Sequence, residues 1–151
     1  MKRFIYFIIS LLPWFISGLL FSNNINFFNS LNLPWFALPK SLYGIAWTIL
    51  YILIAISVSK IYINNNIKDI PSYNKALISN YIFNQLYIFF MFSLENTFLG
   101  FVDSIAISIT SLFLYYETKE LDEKASKFLL PYVFFSLYAT ILSVTIYFLN
   151  I

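Results

Sequence analysis

The chain has 151 residues, of which 60% are hydrophobic, 22% aromatic and only 11% charged, and its formal net charge is +2. Soluble domains are about a quarter charged, so this composition excludes an ordinary soluble domain, and the small net charge gives no indication of a nucleic acid partner. The sequence contains no cysteine and no histidine, which excludes a disulfide framework and removes the commonest metal ligand, and we predict no metal site.

The apolar residues fall into long runs that match the roughly 20 residues needed to cross a bilayer. They predict an all-α integral membrane protein that forms a single domain over residues 1–151. We expect five transmembrane helices, at 4–21, 41–63, 77–94, 98–116 and 128–149.

The basic residues are distributed unevenly around these spans. One basic residue, Lys40, lies on one side, and all the others lie on the opposite side, close to span ends: Lys2, Arg3, Lys60, Lys68, Lys75, Lys119, Lys124 and Lys127. This bias predicts a cytoplasmic N-terminus, with the first connection and the C-terminus outside. The chain is rich in Ile, Asn, Phe, Tyr and Lys, which points to an AT-rich coding sequence and a bacterial origin. Since the lysine bias indicates insertion from a cytoplasm, we expect the bacterial cytoplasmic membrane.

The first span imitates a signal peptide, since the basic pair Lys2 and Arg3 precedes an apolar run. No cleavage site of the A-x-A kind follows, and the run continues through Phe21, so we expect the segment to be retained as a membrane helix. Pro13 and Gly18 are expected to bend it.

The first connection, residues 22–40, mixes turn-forming residues with large rings and leucines: Phe27, Phe28, Leu31, Leu33, Trp35 and Phe36. A merely solvated loop does not need these rings. Either the connection lies in the membrane interface as an aromatic belt, or it folds back over the helices as a lid.

The third span contains the segment NYIFNQ, in which Asn80 and Asn84 lie one turn apart on the same helical face. Amides inside hydrocarbon need partners, so this face points into the bundle. The amides either join helices by hydrogen bonds or line a cavity and contact a ligand. Trp47, about two turns into the second span, lies deeper than an interfacial belt requires and offers a flat wall for a flat ligand.

Asp103 is the acidic residue that lies well inside a span, which marks it as a functional candidate. Its simpler role is a hydrogen bond to a donor of a neighbouring helix. Ser104, Ser108 and Ser111 share one face of the fourth span and predict close helix packing. The fourth connection, 117–127, is expected to extend that helix, with Glu120 paired to Lys124, and Pro131 is expected in the first turn of the fifth span.

Taken together, several segments resemble the TspO/MBR family of tryptophan-rich sensory or translocator proteins. They occur in the family's order and cover almost the whole chain: PWFALPKSLYGIAWTILY, NYIFNQ, NTFLGFVD and PYVFFSLYAT, followed by a closing LN. The resemblance implies a five-helix bundle, commonly a homodimer, whose first extramembrane loop caps a pocket. The pocket is expected to accept tetrapyrroles such as protoporphyrin IX or heme-like molecules, and synthetic isoquinoline carboxamide or benzodiazepine-type ligands. No cofactor is required.

The resemblance assigns the family's pocket residues to individual positions of this sequence. The pocket asparagine corresponds to Asn84 and the G-x-x-W tryptophan to Trp47, and the remaining ligand-binding candidates are Phe28, Pro34, Trp35, Tyr43, Tyr51, Tyr87, Ser104, Phe135 and Ala139. With this resemblance, the lid is favoured over the belt and Asn84 is favoured as a ligand contact. Asp103 corresponds to the family's aspartate and is expected to be structural or proton-linked.

The sequence departs from its relatives at three places. Phe135 stands where many relatives have a second pocket tryptophan, the loop reads Phe36, Ala37, Leu38 and Pro39 instead of W-T-P-P, and no basic residue follows Lys127 to complete a sterol-contact pattern.

Three functions follow as hypotheses. The first is a membrane receptor or carrier for tetrapyrroles, used in sensing, transport or regulation. The second is an enzyme that degrades porphyrin with light and oxygen, in which Trp47 alone offers a reactive side chain. The third is a secondary transporter or a structural membrane protein.

Overall fold

A computed structural model describes residues 2–21 and 25–151, and this part of the chain is built from helices and short connections, with no β-strand. Residues 22–24, where the first connection begins, lie outside the described residues. The α-helices are α1 (Lys2–Leu11), α2 (Ile16–Phe21), α3 (Ile25–Ser30), α4 (Lys40–Asn64), α5 (Pro71–Ile88), α6 (Thr97–Leu121), α7 (Glu123–Ser126) and α8 (Leu130–Leu149). Short 3-10 segments lie at Leu12–Phe15, Ile67–Asp69 and Lys127–Leu129, and a π-helical turn at Phe89–Ser93.

Within the described residues, three helices are long and apolar enough to cross a membrane: Lys40–Asn64, Thr97–Leu121 and Glu123–Leu149. The predicted all-helical membrane protein is confirmed at this level, and the count of five spans stays a prediction. The first and third predicted spans are not among these three helices, and each has a local reason. The first span is divided at Pro13, and α5 carries polar residues such as Asn74, Lys75 and Asn80.

The α-helix of the first span is interrupted around Pro13, where a bend was predicted. Gly18, where a bend was also expected, lies inside α2. Here α1 ends at Leu11 and the backbone continues as a 3-10 segment before α2 begins, because proline has no N–H to donate to the preceding turn. The irregular turn brings Trp14 into the interior, where its side chain is 3% exposed.

The fourth connection differs from the continuous helix that was predicted. Helix α6 ends at Leu121, and the extended Asp122 caps α7 by accepting a hydrogen bond from the N–H of Ala125 at 2.9 Å. The break separates Glu120 from Lys124, and the ion pair lies instead between Lys127 and Glu123 at 3.4 Å. Pro131 lies in the first turn of α8, as expected.

Helices α6 and α8 pack closely along the serine face of α6. The hydroxyl of Ser108 lies 2.7 Å from that of Thr140, and the hydroxyl of Ser111 lies 3.0 Å from that of Ser136. Small side chains allow the two backbones to approach, and the hydroxyls then bond between helices. Thr140 also donates to the carbonyl of Ser104 at 2.8 Å, so the predicted packing face is confirmed.

The two ends of the bundle are defined by contacts between distant parts of the chain. At one end, the first connection meets the C-terminus, since the Asn32 N–H donates to Asn150 Oδ1 at 2.9 Å and Asn150 Nδ2 donates to the Asn32 carbonyl at 3.1 Å. At the other end, Ser57 donates to the carbonyl of Ala125 at 2.9 Å. The first connection and the C-terminus therefore share one end, opposite the charged α6–α7 connection.

Gly100 of α6 lies against Met91 of the π-helical turn. A Cβ atom at this position would lie 2.8 Å from Met91 Sδ and 3.3 Å from Met91 Cβ. We expect Gly100→Ala to destabilise the protein by about 1 to 3 kcal/mol, because the added methyl group would force the buried Met91 side chain to shift, including its Cβ atom close to the backbone.

Thermal unfolding in detergent checks this expectation, with Gly44→Ala as the matched control. A Cβ at Gly44 meets nothing within 4 Å, so the control should unfold at or above the wild-type temperature. An unchanged unfolding temperature for Gly100→Ala would contradict the packing described here.

Candidate ligand-binding cavity

A cavity of about 660 Å³ lies among the helices, and Phe28 of the first connection is one of the residues that line it. Its wall is contributed by the first span, α3, α4, α5 with its π-helical turn, α6 and α8. Pockets that bury drug-sized ligands have volumes of about 300 to 1,000 Å³, so the cavity has room for a polycyclic ligand.

Most of the predicted ligand-binding residues line this cavity. Those in its wall are Phe28, Tyr43, Trp47, Tyr51, Asn84, Tyr87, Ser104, Phe135 and Ala139. Pro34 and Trp35 are not in the wall. Trp35 is 95% exposed, and its ring contacts that of Phe36 at 5.7 Å between centroids.

Aromatic rings in contact form one side of the cavity. The ring centroid of Trp47 lies 5.7 Å from that of Tyr51 and 5.3 Å from that of Phe135, which it meets edge to face at 84°. Tyr51 in turn stacks on Trp14 at 5.4 Å and 25°. Each of these rings packs on its neighbours, so the rings hold one another in place in the wall.

The sequence analysis did not identify Trp14, which also lines the cavity. The available signal was the Pro13-Trp14 pair, since a proline in a membrane helix marks a place where the backbone turns and a neighbouring ring can be redirected. The apolar lining residues Met91, Ile107 and Leu142 were not identified either, because nothing distinguishes them from other core residues in sequence.

The two asparagines of α5 have different surroundings. Asn80 is fully buried at 0% exposure and is not in the cavity wall. Its Nδ2 donates to Thr110 Oγ1 at 2.9 Å and to the Ile107 carbonyl at 3.3 Å, and its Oδ1 accepts from the Tyr132 hydroxyl at 2.9 Å. Asn80 therefore joins α5 to α6 and α8.

Asn84 takes part in the same network and also lines the cavity. Its Nδ2 donates to the Tyr132 hydroxyl at 2.6 Å and to the Asn80 carbonyl at 3.0 Å. The hydrogen bonds that hold Asn84 thus use its Nδ2. Asn80 therefore has the helix-joining role, and Asn84 combines that role with a place in the wall. Contact of Asn84 with a ligand stays a prediction.

The first connection contributes Phe28 to the cavity wall, and its role as a lid stays a prediction. Phe28 of α3 contacts the rings of Tyr43 and Phe92, at 6.1 and 6.0 Å between centroids. Two tyrosine hydroxyls also form hydrogen bonds with the backbone of the connection. The Leu38 N–H donates to the Tyr43 hydroxyl at 3.0 Å, and the Tyr138 hydroxyl donates to the carbonyl of Phe36 at 3.1 Å.

The π-helical turn at Phe89–Ser93 extends α5 and places Met91 and Phe92 in the cavity wall. Such turns insert an extra residue into a helix and are frequent at functional sites. The turn has no marker in the sequence, since FFMFS contains neither glycine nor proline.

Asp103 is buried at 4% exposure and is not part of the cavity wall. No described residue donates a hydrogen bond to its Oδ2, so the donor expected from a neighbouring helix is not found for this oxygen. The structural or proton-linked role of Asp103 stays a prediction.

The lining residues are mainly apolar and aromatic, together with a few that carry hydroxyl groups, one asparagine, Asn84, and one lysine, Lys40. This combination suits binding of an apolar molecule that is oriented by a small number of polar contacts.

The TspO/MBR family model matches residues 4–149 of this sequence. The chain belongs to the TspO/MBR family. The predicted resemblance is thereby confirmed.

Curated proteins are similar to this chain over most of their length. The tryptophan-rich protein TspO of Bacillus cereus is 36% identical over 137 residues, which cover 91% of this chain and 89% of that protein. The uncharacterized membrane protein YtaB of Bacillus subtilis is 32% identical over 145 residues, 96% of this chain and 94% of that protein. The tryptophan-rich protein TspO of Archaeoglobus fulgidus is 35% identical over 126 residues, 78% of this chain and 75% of that protein.

Proposed function

We propose that this protein is a membrane receptor or carrier that binds a tetrapyrrole, such as protoporphyrin IX, in the cavity beneath the first connection. The observation that carries the proposal is the ring-lined wall of Trp14, Tyr51, Trp47 and Phe135 in a cavity of about 660 Å³. A porphyrin is flat, aromatic and mostly apolar, so it can stack on such a wall and gain most of its affinity from apolar contact.

The proposal includes an arrangement in the membrane. We place the protein in a bacterial cytoplasmic membrane as a five-helix bundle with its N-terminus in the cytoplasm. The lysine distribution supports this orientation, as does the contact between the first connection and the C-terminus at one end of the bundle. The homodimer is carried over from the family resemblance.

A dark titration of the purified protein with protoporphyrin IX tests the proposal. We expect a saturable change in the porphyrin's main absorption band with micromolar affinity, about −8 kcal/mol. An isoquinoline carboxamide added at saturation should reverse this change by competing for the same cavity.

Detergent micelles without protein are the control, because porphyrins partition into apolar phases. A linear response that matches the micelles, or a saturable response that the competitor leaves unaltered, would contradict binding in the cavity.

A further inference from the structure

Lys40 is the basic residue that does not follow the lysine distribution of the rest of the chain. It lies at the start of α4, next to the first connection, whereas the other basic residues lie at the opposite ends of the predicted spans. Its side chain is also part of the cavity wall. A role in ligand binding explains a lysine at this position better than the charge rule for membrane orientation does.

The contacts of Lys40 place its ammonium at the mouth of the cavity. Its Nζ lies 5.1 Å from the ring centroid of Phe28, which also lines the cavity, and it donates to Oδ1 of Asn29 on the same helix, α3. Both contacts are with uncharged groups. The ammonium therefore has capacity for an anionic partner, for which it can exchange the amide.

The charges around the cavity favour an anion at this position. Among the described residues that line the cavity, Lys40 is the one that carries a charge, and none of them is an aspartate or a glutamate. Asp103 is buried behind the wall and is not part of it. Lys40 is exposed, so water screens its charge in part. An anionic edge held beside it against the apolar wall is nevertheless screened less than a pair of ions in bulk water.

We propose that Lys40 binds a carboxylate at the edge of the ligand, so that the cavity selects flat apolar acids over their neutral counterparts. The inference rests on the proposed function, since it assigns an orientation to the molecule bound there. The apolar face of the ligand stacks on the rings around Trp47, and its acidic edge lies at the mouth beside α3.

The test compares protoporphyrin IX with its dimethyl ester, which has the same ring system and no carboxylate. Both are titrated in a neutral detergent against the wild type, Lys40→Met and Lys60→Met. Lys60 is a matched control, because its Nζ makes a similar contact with the ring of Phe128, at 5.2 Å, near the opposite end of α4.

We expect the wild type and Lys60→Met to bind the acid about tenfold more tightly than the ester, the size of one charge-assisted hydrogen bond. Lys40→Met should lose this preference by weakening the acid about tenfold while leaving the ester unchanged. Raising the ionic strength should weaken binding of the acid and not that of the ester.

Three results would overturn the inference, and they differ in what they say about the proposed function. Equal weakening of acid and ester in Lys40→Met would show that Lys40 only holds the first connection in place. Equal affinity of both ligands for the wild type would reject carboxylate recognition and leave porphyrin binding standing. If neither ligand bound the wild type saturably, the proposed function would fail together with the inference.

Discussion

Ala139→Phe is expected to weaken porphyrin binding by about 100-fold, which corresponds to about 2.8 kcal/mol. Ala139 lies in the cavity wall on the same helix as Phe135, four residues further along. A phenyl ring at this position takes up space that the macrocycle needs, and overpacking of this kind costs about 1 to 3 kcal/mol. The absorption titration of the purified variant measures the change.

Ile141→Phe is the matched control, because it adds a ring to the same helix at a side chain that is 60% exposed on the outer surface of the bundle. Its affinity should equal that of the wild type. If Ala139→Phe folded normally and bound porphyrin as tightly as Ile141→Phe, the cavity would not be the binding site.

Asn80→Leu is expected to cause the largest loss of stability among substitutions of single polar residues in the bundle. Leucine has a similar size but cannot bond Thr110 or accept from the hydroxyl of Tyr132, and Asn80 is fully buried. Interhelical hydrogen bonds contribute about 0.6 to 1.7 kcal/mol each, so we expect a loss of about 1 to 3 kcal/mol. Thermal unfolding in detergent measures it.

Asn84→Leu separates this structural role from ligand contact. Asn84 makes fewer interhelical bonds than Asn80 and lies in the cavity wall, so its substitution should reduce stability less and porphyrin affinity more. Asn80→Leu, assayed well below its unfolding temperature, should still bind. The reverse pattern, with binding lost only in Asn80→Leu, would contradict the division of roles between the two amides.

Many residues of the cavity wall could be predicted from the sequence, because a small number of strong physical rules govern where polar and aromatic residues lie in a membrane segment. A polar residue in hydrocarbon must face inward, which places Asn80 and Asn84 in the interior. A tryptophan too deep for the interface, such as Trp47, faces the interior as well. The family motifs then add ring residues such as Tyr51 and Phe135 to the same wall.

The features that sequence missed depend on local backbone geometry. The π-helical turn that brings Met91 into the wall contains no glycine or proline. The helix breaks at Asp122 because this residue is extended and its carboxylate caps α7. The sequence did not indicate the break, since the charges on both sides of Asp122 repeat at helical spacing. Trp14 is buried by the 3-10 segment that follows Leu11, and the predicted bend at Pro13 did not reveal which ring it would redirect.

Lys40 shows how a sequence pattern and the structure complement each other. In the sequence it is an exception to the orientation rule, and the rule itself gives no reason for it. The structure places it beside Phe28 at the mouth of the cavity. Only the combination indicates recognition of a charged ligand edge.

The position of the ligand is tested most directly by variants that retain one tryptophan each, with phenylalanine at the other two positions. Trp14 and Trp47 line the cavity, whereas Trp35 lies outside it and is 95% exposed. At saturating protoporphyrin IX in the dark, we predict the strongest shortening of fluorescence lifetime for the Trp47 protein, a similar effect for the Trp14 protein and the weakest for the Trp35 protein. Equal shortening in all three, or the strongest effect at Trp35, would contradict a porphyrin bound against the aromatic wall.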